Sequence, residues 1–164
     1  MPENEIIERA RRDKEQGKSP STQAGEFVRE EMHHVREGKH GAQSPQQAIA
    51  IGLSKARRAG VQLPPPKPGS VSSKTRAQAL RDLRKAKEST KQRPSKVRSN
   101  AILRALKREG QSAASSRNLS KHARSVAHRR GKKSRHQSAV KAIRTKGKSG
   151  LRRAARKAAL TRTG

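Results

Sequence analysis

Apolar side chains recur at spacings of three, four and seven in two stretches of the chain, the period of a helix with one buried face. The clearer stretch carries Ala24, Phe27, Val28, Met32 and Val35 and ends near Gly38. It is entered through Ser19-Pro20-Ser21-Thr22, where several residues suit the N-cap and proline suits the first turn. The second opens on Ser44-Pro45-Gln46-Gln47, a capping box in which Ser44 and Gln47 can cap each other. Its inward face is Ala48, Ile49, Leu53 and Ala56, and Gly52 leaves room for a neighbouring helix to approach closely. Gly60 suits a left-handed C-cap, with Val61 folding back on the last turn. The short link from Gly38 to Gln43 predicts that these two helices pack antiparallel.

Weaker patterns flank this hairpin. Pro2 to Gln16 reads as a helix with Ile6, Ile7 and Ala10 on one strip, acids near its start and bases near its end, and Gly17 as its stop. Pro64-Pro65-Pro66-Lys67-Pro68-Gly69 cannot be helical and favours extended polyproline II. Ser73 to Glu88 has a thin apolar edge of Ala77, Leu80 and Leu83. Pro94-Ser95 introduces a further helix with Val97, Ala101, Ile102, Ala105 and Leu106 on one face and Gly110 as its stop. These two helices are expected to pair with each other or to dock on the hairpin. After Gln111 come short Ala/Val/Lys/Arg stretches, SVAHRRG, VKAIRTKG and RKAALTRTG, closing on Gly131, Gly147 and Gly164. Helices so short and so poor in large apolar residues are marginal in water, so the expectation is a largely flexible tail that gains helix on a polyanion.

The resulting picture is all-α. Residues 1–63 form a small helical domain, 64–72 a proline-rich linker, 73–110 a basic helical pair, and 111–164 a Lys/Arg/Ala-rich tail. Composition agrees that the core is small: only 29% of residues are hydrophobic, and Phe27 is the one aromatic. The absence of cysteine excludes disulfides, thiol catalysis and thiolate metal sites. The longest purely apolar run is Ala48 to Ile51, far short of a membrane span, and the acidic start lacks the apolar region of a secretory signal. A cytoplasmic location follows as the expectation.

Charge changes the picture most. Residues 1–63 hold 11 Lys/Arg against 9 Asp/Glu, whereas 64–164 hold 31 against 3, and no acid follows Glu109. Such a segment repels itself unless a polyanion neutralises it. Candidate phosphate-binding residues are Arg117, Lys121, Arg124, Arg129, Arg130, Lys132, Lys133, Arg135, Lys141, Arg144, Lys146, Lys148, Arg152, Arg153, Arg156, Lys157 and Arg162. Lys39, Arg57 and Arg58 are candidates for further contacts from the hairpin, although an exposed helix end complementing its dipole explains them equally well. Single-strand readers stack bases on Phe, Tyr or Trp, and none of these follows Phe27, so the expected ligand is duplex DNA, with structured RNA as the alternative. A third reading makes residues 22–60 a self-association or protein-interaction surface and the tail only an address. A helix-turn-helix is the weaker reading of the hairpin, whose link is longer and richer in glycine than that motif's three- to four-residue turn.

Other chemistry is sparse. His33, His34 and His40 cluster around a helix end, but adjacent helical residues point about 100° apart, and the reading is that they hold no metal. His122, His128 and His136 are read as added charge at low pH. Glu30 and Glu31 are read as surface salt-bridge formers. Gly147-Lys148-Ser149 matches the end of a phosphate loop, but Ala142 stands where its first glycine belongs. No triad or small-molecule site is expected, no cofactor is implied, and the protein is expected not to be an enzyme.

The segment GEFVREEMHHVREGKHGAQSPQQAIAIGLSKARRAGV, from Gly25 to Val61, resembles an uncharacterised family of small basic bacterial proteins that share an EGKHGA-like turn and a QAIAIGLSKARRAG-type helix. The resemblance covers about a quarter of the chain and brings no activity or catalytic residue. The Lys/Arg/Ala-rich remainder is similar in composition to bacterial histone H1-like tails. Together these imply a sequence-tolerant, nucleoid-associated DNA binder.

Overall fold

The computed structural model describes residues 3–87 and 95–163, with backbone only at 162 and 163. The described residues form seven α-helices and one 3₁₀ turn and contain no strand: α1 (Asn4–Glu15), α2 (Pro20–Arg36), α3 (Pro45–Arg58), α4 (Ser73–Lys87), α5 (Lys96–Lys107), the 3₁₀ turn (Ser112–Ala114), α6 (Ser116–Arg129) and α7 (Gly131–Thr163). The all-α class read from the periodicity is the fold observed. The expected roles of Pro2, Glu88, Pro94 and Gly164 as boundaries lie outside the described residues. No described helix is long and apolar enough to cross a membrane.

Composition divides the chain at the prolines, whereas its contacts divide it into Met1–Leu119 and Ser120–Gly164. In the first unit α2 and α3 pack antiparallel, since residues early in α2 meet residues late in α3. Phe27, fully buried, joins Ala24, Ala56, Val61, Ile6 and Ala10 in one cluster. Met32 and Val35 join Ala42, Ala48, Ala113 and Ala114 in the other. Burying a ring such as that of Phe27 contributes about 1.5–3 kcal/mol, a large share for so small a core. Close approach of the helices depends on Gly52, where a Cβ would stand 2.7 Å from the Val28 Cα and 3.0 Å from the Phe27 carbonyl oxygen.

The helix ends follow the local chemistry of the sequence, with one departure. Ser44 Oγ accepts the Gln47 N–H at 3.2 Å, but the Gln47 side chain reaches one residue further than a capping box requires and accepts the Gln43 N–H at 2.7 Å. Gly60 adopts φ +94°, and the Val61 N–H returns to the Ala56 carbonyl at 3.1 Å, placing Val61 in the core. The strip on α1 is narrower than expected: Ile6 and Ala10 are buried while Ile7 is exposed.

The elements past the prolines dock differently from their apolar patterns. α4 packs on α3 through Ala79 and Asp82, not through Ala77 and Leu80. The anchor is polar: Ser54 Oγ donates to Asp82 Oδ2 at 2.6 Å and Gln78 Nε2 to Asp82 Oδ1 at 3.1 Å. α5 buries none of its face, and Val97 is 80% exposed. It is held by its end, where the Gly41 N–H caps the Leu106 carbonyl at 2.9 Å and the Ala42 N–H meets the Gly110 carbonyl at 3.1 Å. A side chain at Gly41 would overlap the Glu109 carbonyl, so the loop closes on α5 only with glycine there. The 3₁₀ turn then lays Ala113 and Ala114 into the hairpin, and Arg36 Nε donates to the Ala114 carbonyl at 3.0 Å.

The second unit is helical and exposed. Gly131 (φ 73°) separates α6 from α7, and Gly147 (φ 64°, ψ 172°) breaks α7, so the two described glycines of the tail pattern interrupt the helix where the sequence places them. From Ser116 to Thr161 no side chain is buried.

Candidate nucleic-acid interface and the charge network of the hairpin

Sixteen of the seventeen candidate tail cations, from Arg117 to Lys157, are solvent-exposed; the Arg162 side chain lies outside the described residues. Their positions on α6 and α7 follow from alanine, lysine and arginine, all good helix formers. With no carboxylate after Glu109, nothing in that stretch of sequence competes with an incoming anion. About four cations in every ten residues puts one charge per roughly 4 Å of helix, against one phosphate per about 1.7 Å of duplex axis.

The three hairpin candidates do not form a patch. Arg57 is only 7% exposed, and its guanidinium is turned to the Leu63 and Pro64 carbonyls at 3.3 and 3.4 Å. It straps the proline segment to α3 and is withdrawn from any phosphate. Burial pulls its pKa below the usual guanidinium value, with Asp82 opposing the shift, and it stays charged. Arg58 is exposed and donates to the Ser54 carbonyl at 3.3 Å. Lys39 is exposed and paired with Glu37 at 3.2 Å and Glu3 at 3.4 Å; its pKa is raised, first by the hydrogen bond with Glu37.

A network that the apolar periodicity does not reveal occupies the hairpin instead. Glu30 and Glu31 are buried between α2 and α3, not on the surface. Lys55 from α3 lies 2.6 Å from Glu31 Oε2 and 3.6 Å from Glu30 Oε2. His40 Nε2 stands 3.0 Å from Glu31 Oε1. Glu30 Oε1 accepts the Glu3 N–H at 2.7 Å, so a buried carboxylate serves the otherwise unpaired amide end of α1. The Glu3 carboxylate meets His34 Nε2 at 3.3 Å, and that hydrogen bond, followed by the one with Lys39, holds its pKa below the usual carboxylate value. His33 is exposed and takes no part. The signal is present in the sequence: Glu30 and Glu31 stand three and four residues after Phe27, on the helix face that the apolar stripe buries.

Residues 13–67, about a third of the chain, match the model of a family of unknown function (DUF6496). The matched segment is thus similar to an uncharacterised family, as the Gly25–Val61 resemblance implied, and it contains Glu30, Glu31, His34, His40 and Lys55. No curated protein and no solved structure matches the chain.

Proposed function

We propose that this is a non-enzymatic, sequence-tolerant DNA-binding protein that grips the phosphate backbone of duplex DNA, a histone H1-like component of a bacterial nucleoid. The observation that carries the reading is the set of sixteen exposed Lys and Arg residues on helices that bury no side chain after Ser116 and contain no acid. Such helices have no core to build, and their side chains are free to follow a phosphate lattice. Backbone contacts give affinity through counterion release and little sequence information. The absence of Phe, Tyr and Trp after Phe27 removes the usual means of reading unstacked bases.

The test is a salt series with duplex DNA, single-stranded DNA and structured RNA. With eight phosphates engaged, log K against log salt should fall with a slope of about −7 on duplex DNA and vary little with its sequence. Tighter binding to structured RNA than to duplex would move the protein to an RNA-associated role. Binding weaker than micromolar to all three at low salt would remove the nucleic-acid reading.

A further inference from the structure

We propose that Glu31, His34 and His40 form a binding site for one divalent transition-metal ion of the zinc type. One ligand atom from each of the three lies within 4.8 Å of the others. Metal bonds of about 2.0–2.1 Å in a tetrahedron space ligand atoms roughly 3.4 Å apart, so binding would draw the three ligand atoms together. Glu31 and His34 are three residues apart on α2 and therefore share a face. His40 enters from the loop that Gly41 and Ala42 pin to the end of α5. The three ligands thus come from one rigid helix and one clamped loop.

His40 is oriented as a ligand. Its Nδ1 lies 3.0 Å from the Gly41 carbonyl, which only accepts, so Nδ1 carries the proton and Nε2 is turned towards Glu31 Oε1. Backbone orientation of one ring nitrogen is the usual support for metal ligation by the other. Glu31 is oriented as well. It is 1% exposed, and neither carboxylate oxygen receives a hydrogen bond of good geometry. Lys55 sits against Oε2, which leaves Oε1 to the ion. A second group, Glu3, Glu30 and His34, shares His34 with the first.

The donor set selects the metal. Two imidazoles with one or two carboxylates and no thiolate suit Zn²⁺, Co²⁺ or Ni²⁺, whereas Mg²⁺ and Ca²⁺ prefer oxygen alone. The ion would join the end of α2 to the loop before α3. It lies in the neutral half of the chain, so its presence is separable from nucleic-acid binding.

The experiment uses the full chain without a histidine tag, stripped with a chelator and titrated with ZnCl₂ by calorimetry. One Zn²⁺ per chain with submicromolar Kd is expected. His33→Ala should leave the affinity unchanged, while His34→Ala and His40→Ala should each weaken it about 100-fold or more, with helicity followed by circular dichroism. X-ray absorption of the 1:1 wild-type complex gives a readout that does not depend on how the variants fold: two imidazole nitrogens with carboxylate oxygens are expected. Three or more imidazoles, an all-oxygen shell, an equal weakening in His33→Ala, or no binding below about 100 µM would overturn the proposal and leave the cluster an ion-pair network closed by Lys55.

Discussion

Gly52 is where one missing carbon decides how two helices pack. Its α-hydrogen faces the Val28 Cα and the Phe27 carbonyl, both backbone, and neither can turn aside. Gly52→Ala therefore forces α2 and α3 apart, and the cost expected for such overpacking is about 1–3 kcal/mol. A urea melt that shows no lower midpoint for this variant would contradict the packing described. Residue-scale chemistry is legible in the sequence where it is local. Ser44, Gly60 and Val61 do what their spacing predicts, because caps depend on neighbours in sequence, and Gly52 lies on the inward face that the period of its own helix marks. It is not legible for Arg57 and Lys55, and for Glu30 and Glu31 it shows only in their place on the face of the apolar stripe. Charged residues default to the surface in a sequence reading, and only the tertiary meeting of α2 with α3 and the proline strap turns these inward.

At the scale of elements, α1 to α3 are readable because an apolar stripe on one helix implies a partner. The buried face of α4 escapes the same logic. Its anchor is Asp82, a buried carboxylate with Ser54 and Gln78 as partners and Arg58 4.0 Å away, and hydropathy patterns pass over polar anchors. Asp82→Ala should release α4 while leaving the hairpin folded. In hydrogen exchange, amides of residues 73–87 should exchange about ten- to a hundredfold faster, as removal of a buried charged hydrogen bond worth about 1.5–3 kcal/mol implies, while those of α2 and α3 keep their protection. Uniform acceleration across all helices would mean that α4 is integral to the core. α5 carries the converse lesson, because its apolar face buries no residue and it is fixed through the carbonyls at its end.

For the whole molecule, the charge asymmetry has a physical boundary that composition alone does not locate. The unbroken cationic stretch begins after Glu109, yet the first compact unit runs on to Leu119 because Ala113 and Ala114 belong to its core. Deleting residues 120–164 removes all but one of the seventeen tail cations and none of the buried alanines. The truncated protein should keep its thermal midpoint within a few degrees and bind duplex at least about 100-fold more weakly at moderate salt, its salt slope shallower by about 0.9 for each phosphate no longer engaged. Equal affinity before and after truncation would place the phosphate-binding residues within 64–119. A deletion starting at Gln111 tests something else, since it takes the two alanines as well.

Those two alanines also set an order of events. The hairpin side chains they cover, Val35 and Ala48 among them, are synthesised more than sixty residues before Ala113. A growing chain can close Phe27 against Ala24 and Ala56 early, from contacts near in sequence, but the second cluster stays open until residue 114 has been delivered. Loop closure over that span is slow relative to local helix formation. On the ribosome, the hairpin therefore waits with an uncovered apolar cleft for a plug that comes immediately before the cationic helices. The acid-free helices α6 and α7 thus follow, in order of synthesis, the two alanines that complete the buried part of that cluster.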